Sequence, residues 1–164
     1  MKKRLFALLL SLVIVLSLAA CGSKDSKESK DTATDVDVKV LADALKNGCD
    51  FKDNLAEIDS TVGLTRVLSI ADTSIIEESA FYTNSSASAE EIIVIKATST
   101  ENVKIVKAAF DVRISTQKAA CADYLPDEIP KLDDAVEYTN GKYAILVISK
   151  DSAKAQEIIN GYFK

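Results

Sequence analysis

Histidine is missing from all 164 residues of the chain, and this absence removes more chemistry than any other. A Ser-His-Asp or Cys-His nucleophile cannot be assembled, and neither can a histidine-rich metal site. Cysteine is scarce: Cys21, Cys49 and Cys121 are the three present. No two of them stand in CxxC spacing, which argues against zinc and thiol-protease chemistry. Positive charge is in the minority, with 20 Lys and Arg against 25 Asp and Glu. Nucleic acid and anionic lipid headgroups are therefore repelled, and a cationic or neutral partner fits better, unless the acidic balance serves solubility alone. One long apolar run exists, Leu5 to Leu18, interrupted only by Ser11 and Ser17.

That run follows Lys2, Lys3 and Arg4 and ends in Leu18-Ala19-Ala20-Cys21. A basic start, a short apolar stretch and small residues before a cysteine form the pattern of a bacterial lipoprotein export signal. The last four residues resemble a lipobox, whose cysteine thiol receives a diacylglycerol before cleavage makes it the new N-terminus. Residues 1–20 are thus expected to be a signal peptide and Cys21 the lipid attachment site. The apolar stretch is shorter than the roughly 20 residues that span a bilayer. Acyl chains contribute about 0.8 kcal/mol per buried methylene, and two of them give stable anchoring. The expected location is the outer face of a membrane, with the membrane itself as the first partner.

Without Lys2, Lys3 and Arg4 the formal charge moves from −5 to −8. From Gly22 to Asp35 serine, lysine and aspartate dominate and Ala33 is the only apolar side chain. Such a stretch cannot bury enough surface to offset ordering, so residues 21–35 read as a lipidated cysteine followed by a flexible linker. Its reach is roughly 20 Å r.m.s., with a contour limit of about 50 Å. Residues 36–164 read as a single domain with its own core. Cys49 and Cys121 leave two readings open. A disulfide between them would stabilise by about 4 kcal/mol in the chain-entropy model, whereas placement on apolar helix faces makes each a small hydrophobe.

Asp37 precedes Val38, Leu41, Ala42 and Leu45, the stripe of a short capped helix ending near Asn47-Gly48. Phe51 to Ala71 is expected to hold a short helix through Leu64, Val67 and Leu68. Glu78 to Asn84 reads as a strand, and Glu91 to Ala97 as a buried one. Thr98-Ser99-Thr100-Glu101 matches a capping box, followed by about six turns of helix through Val103, Val106, Phe110, Ile114, Cys121 and Tyr124. Pro126 and Pro130 bracket a turn. Ala135 to Thr139 and Lys142 to Ser149 form a hairpin around Asn140-Gly141, and Asp151 or Ser152 caps a last helix carrying Ala155, Ile158, Ile159 and Tyr162 inward.

Tyr82-Thr83-Asn84 and Tyr138-Thr139-Asn140 each end a strand, and each is followed by a turn, an aliphatic strand and a capped helix. Two strand-strand-helix units side by side explain this, with chance likeness of capped helices as the competing explanation. Either way the expected fold class is α+β, an antiparallel sheet of about four strands with helices packed on one face. Ser88-Ala89-Glu90-Glu91-Ile92, the Arg113 and Gln117 pair, Tyr124-Leu125-Pro126, Pro130-Lys131-Leu132 and Gly141-Lys142-Tyr143 carry a further likeness. In combination they resemble the lipoproteins grouped as domain of unknown function 4358, over roughly residues 37–164 and including the lipobox. Those proteins come mostly from Gram-positive bacteria of the clostridial group. The resemblance implies location and domain limits but no active site.

Ser115-Thr116-Gln117-Lys118 matches SxxK, and the two Tyr-Thr-Asn triplets match the YxN element of penicillin-binding enzymes. The serine lies in mid-helix, however, no KTG follows, and the domain is too small for that fold. The acidic pairs Glu77-Glu78, Glu90-Glu91, Asp127-Glu128 and Asp133-Asp134 read as solvated surface or helix-start charge. Calcium near Asp127 and Asp133 lacks EF-hand spacing, so neither a metal nor a cofactor is implied. Arg113 and Gln117 stand three and seven residues beyond Phe110 on the long helix, and Tyr124 seven beyond Gln117. A guanidinium beside an apolar face needs an acceptor, and Glu91 is the expected one. The functional alternative is a groove of Arg113, Gln117 and Tyr124 for a carboxylate-bearing or peptide ligand.

The expected role is a non-enzymatic binding or accessory module of the cell envelope, with an envelope protein or peptide as partner. Two alternatives stand beside it: a cell-envelope enzyme using carboxylates and Arg113, or a structural subunit docking by its sheet edge.

Overall fold

The structure is a computed structural model that describes residues 35–52, 54–84 and 88–164. The expected export signal, Cys21 and the linker through residue 34 lie outside the described residues. Helix α1, Val38–Gly48, starts where the Asp37 side chain accepts from the Val40 N–H at 2.9 Å, and it buries Val38, Leu41, Ala42 and Leu45. Strand β1, Ala56–Ile58, follows. Helix α2, Ser60–Val62, then runs into a π-helical turn at Gly63–Val67. The segment expected to be one short helix is therefore a strand plus a helix. Three residues carry no readable period, and β1 exists because it pairs with a distant strand.

That partner is β2, Ile76–Thr83, which leads through residues 84–90 into β3, Glu91–Ala97. Ser99 caps the long helix α3, Thr100–Cys121, its side chain accepting from the Asn102 N–H. A 3₁₀ turn at Pro126–Glu128 and helix α4, Ile129–Asp133, fill the expected proline-bracketed turn. The hairpin of β4, Val136–Asn140, and β5, Tyr143–Ile148, closes at Gly141, whose φ of 54° suits a residue without Cβ. Helix α5, Ser152–Tyr162, is capped by the Asp151 side chain.

The five strands form one antiparallel sheet in the order β1-β2-β3-β5-β4. The fold is α+β as expected, with five strands in place of about four. The placement of helices on one face needs correction, because helices cover both. Ile92, Val94, Ile145 and Val147 face α1 and α5, while Ile93, Ile95, Leu146 and Ile148 face α3 and α4. Alternate residues of a strand point to opposite faces, and β3 and β5 are aliphatic at nearly every position. Unbroken apolar strands of this kind require cover on both sides.

The proposed repeat survives in the strands alone. Val94 and Val147 share one face and Ile95 and Ile148 the other, yet α3 packs on one side of the sheet and α5 on the opposite side. A rotation exchanging the antiparallel neighbours β3 and β5 would keep both helices on one face, so it does not relate the two units. The same division separates the cysteines. Cys49 and Cys121 are free and buried in different cores, which rules out the disulfide and leaves two small hydrophobes. Burial pushes the Cys49 thiol up to about 11.

Where the chain enters the domain, the buried Tyr143 hydroxyl accepts from the Val36 N–H and donates to Asp35, both at 2.9 Å. Lys96 adds ion pairs to Asp35 and Glu77, each at 2.9 Å. The entry point is thus fixed at the end of the sheet where β3 finishes and β5 begins.

Gly63 tests the tightness of the contact between the π-helical turn and β2. A Cβ there would stand 2.5 Å from the fully buried Phe81 ring, whereas one on Gly161 meets nothing within 4 Å. Gly63→Ala is expected to lower unfolding stability by about 1–3 kcal/mol through overpacking. In contrast, Gly161→Ala, in a helix, should be neutral or gain up to about 1 kcal/mol. Chemical denaturation of the two variants checks the difference.

Candidate functional site

Glu90 stands just before strand β3 and Glu91 opens it, and neither carboxylate is solvated. Glu90 and Glu91 are each 1 % exposed. Helix α3 runs back over the sheet from the end of β3, so its second half arrives above the start of the strand. Arg113 thereby meets Glu91 side-on: Nε donates to Oε1 and Oε2 at 3.1 and 3.2 Å, and Nη2 to Oε2 at 2.8 Å. The expected partner is the observed one. Burial pushes the Glu91 carboxyl above its ordinary range, against the opposing pull of Arg113 and Gln117.

Glu90 lies at the end of the sheet, between the two cores. One oxygen accepts from Lys131 Nζ at 2.8 Å and the other from the Lys52 N–H at 2.8 Å. Lys131 also donates to Glu128 at 2.9 Å, and Glu128 Oε2 accepts from the Ser88 hydroxyl and the Ala89 N–H, both at 3.0 Å. Glu128 is 4 % exposed. Burial works to raise its carboxyl, but the Ala89 N–H, Lys131 and Ser88 together hold it below the usual range. Lys131 shows the converse: burial disfavours its charge, and Glu90 and Glu128 more than restore it. Two cations and several N–H and O–H donors thus serve three buried carboxylates, as burial of charge requires.

The reading of these acidic residues as solvated surface is therefore corrected for Glu90, Glu91 and Glu128. For Glu90 and Glu91 sequence spacing could not show it, because their cations come from α3 and α4 far along the chain, whereas Lys131 stands three residues beyond Glu128, a spacing at which an ion pair forms. Ser88 carried no physical signal of its own and stood only within the segment Ser88-Ala89-Glu90-Glu91-Ile92.

Above the Arg113–Glu91 pair opens a recess of about 210 Å³, lined among others by Thr83, Ser88, Glu91, Arg113, Gln117 and Cys121. Arg113 and Gln117 are brought together there, one helical turn apart. Tyr124 is not: it is 86 % exposed and outside the lining. Helix α3 stops at Cys121 and the chain turns, with the Leu125 N–H bonded to the Cys121 carbonyl at 2.9 Å. The helical spacing that aligned Tyr124 with Gln117 therefore ends before reaching it. Ser115 is exposed in mid-helix, and Lys118 pairs with Asp133 at 2.7 Å, so the SxxK residues form no nucleophile site. Among the described residues no group of three His, Cys, Asp or Glu is placed to hold a metal ion. A larger hollow of about 430 Å³ between α3 and residues 68–75 is walled by Leu68, Ile70, Ile75, Ile105 and Val112 and is almost wholly apolar. Charged and amide side chains, Glu91, Arg113 and Gln117, line the smaller recess.

Arg113→Ala leaves Glu91 buried without its cation, and a loss of about 3 kcal/mol in unfolding free energy is expected at neutral pH. Urea denaturation measures it; an unchanged midpoint would remove the pair from the stability account. Glu128 gives a pH signature. Because its folded-state pKa is lowered, its contribution is complete above the unfolded value of about 4.3 and is lost as pH falls through the folded one. The stability gap between the native chain and Glu128→Gln should therefore be wide at pH 7 and narrow near pH 3, as denaturation at the two pH values would show.

Comparison with known proteins matches the chain to a family. The family model described as "Domain of unknown function (DUF4358)" covers residues 48–149, a span running from the end of α1 to just past β5 and containing every residue of the buried carboxylate cluster. No curated protein and no solved structure matches the chain. With more than half of its length matched, the chain belongs to the DUF4358 family.

Proposed function

We propose that the protein is a membrane-tethered extracytoplasmic binding module, anchored through Cys21 and engaging an envelope protein or peptide at the Arg113–Gln117 recess. The observation that carries this reading is the recess itself: a hollow built on a fixed ion pair, at the end of β3 opposite the entry of the chain. Its volume of about 210 Å³ is below the 300 Å³ or so of a small-molecule pocket. A single side chain or a chain end fits it better than a free metabolite.

The other two readings draw less support. An enzyme using carboxylates needs one that can exchange protons with substrate, and Glu90, Glu91 and Glu128 already accept from cations and backbone. Docking by a sheet edge favours a long, uncharged edge strand. Strand β1 has three residues and pairs Glu57 with Lys39 at 3.2 Å, while β4 pairs Glu137 with Lys107 at 3.1 Å.

Two substitutions in the producing cell test the proposal. Cys21→Ser should abolish fatty-acid labelling and leave residues 1–20 uncleaved. Ala120 is an exposed member of the recess lining, so Ala120→Trp should leave stability and anchoring intact but reduce crosslinked envelope adducts several-fold. Unlabelled native protein, or adducts indifferent to Ala120→Trp, would contradict it.

A further inference from the structure

The guanidinium of Arg113 has capacity that its structural role does not use. It carries five N–H donors, and the three contacts with Glu91 occupy the Nε hydrogen and one on Nη2. The outer edge, both hydrogens of Nη1 and the second of Nη2, bonds to no described residue. That edge is the end-on fork that matches a carboxylate with two parallel hydrogen bonds. Arg113 lines the recess, and its side chain is 26 % exposed while Glu91 behind it is 1 % exposed. The Gln117 amide stands one turn further along the same wall.

We infer that the recess receives the free carboxylate of a peptide on the outer fork of Arg113, with Glu91 holding the guanidinium in position from behind. This rests on the reading of the protein as a binding module and adds the chemistry of what it binds. The acidic balance of the domain does not forbid an anion here, because charges beyond about 8 Å are screened at physiological salt. Within the site, Glu90 and Glu128 are already engaged by Lys131. Sharing one guanidinium between two carboxylates keeps the contact weak, so affinity for a small probe should lie in the millimolar range.

Arginine is rare enough for a direct test, since Arg4, Arg66 and Arg113 are the only three. In the full chain, solubilised in detergent and labelled with ¹⁵N-arginine, N-acetylglycine should shift the Arg113 side-chain signal saturably and leave the exposed Arg66 unmoved. N-acetylglycinamide, of the same size and without charge, should bind at least tenfold more weakly. The side-chain carboxylate of N-acetylaspartate N-methylamide distinguishes an acidic residue from a chain end, and the stronger of the two responses assigns the source. Ala120→Trp or Gln117→Leu should suppress the shift while the Arg113–Glu91 pair stays folded. No saturable shift at Arg113, equal shifts from acid and amide, or parallel movement of Arg66 would overturn the inference. Envelope adducts that still depend on Ala120 would then leave the binding module standing with a different ligand chemistry.

Discussion

Two neighbouring carboxylates enter the interior at the start of the central strand, and the surrounding architecture follows from the need to neutralise them. An ionised side chain removed from water costs several kcal/mol unless it is paired and hydrogen-bonded. Glu91 obtains Arg113 from α3, and Glu90 obtains Lys131 from α4 together with the Lys52 N–H. Each contact ties the start of β3 to an element distant in sequence. Long α3, short α4 and the loops flanking β2 and α1 are thereby held to one end of the sheet. The recess exists because this end is closed by ion pairs and not by aliphatic side chains.

The remainder of the sheet is governed by the opposite chemistry. Beyond Glu91, β3 is aliphatic through Ile95, and β5 is buried along its whole length. With both faces apolar, the two strands demand helices on each side, and α1 with α5 on one face and α3 with α4 on the other supply them. The molecule therefore has an apolar centre, a polar clamp on Asp35, Lys96 and Tyr143 where the chain enters, and the carboxylate cluster at the opposite end.

Elements with local signatures were legible in the amino-acid order. The caps at Asp37 and Asp151 and the period of α3 through Cys121 depend on neighbours a few residues away and are present, whereas the α3 cap falls on Ser99, one residue after the Thr98–Glu101 box begins, and the hairpin turns at Gly141-Lys142, one residue after the expected Asn140-Gly141. Strand β1 was not legible, since three residues draw their identity from pairing with β2. Both-face burial of β3 and β5 was written in their unbroken apolar runs, but counting helices after hairpins suggested a single covered face. Within the site, Arg113 and Glu91 could be joined because a guanidinium beside an apolar stripe must find an acceptor. Glu90 could not be joined to Lys131 and the Lys52 N–H, because these groups meet it only in space. Tyr124 was misplaced by extending a helical period past the residue where the helix ends.

The account therefore turns on whether Glu91 and Arg113 act as one unit. A double-mutant cycle with Glu91→Gln and Arg113→Met, read by equilibrium denaturation, asks this directly. The expected result is a coupling energy of about 2 kcal/mol or more, with the double variant more stable than the sum of the single losses implies. Additivity within about 0.5 kcal/mol would mean that the two groups are independent, and the clamp at the head of β3 would have to be abandoned as the organising contact.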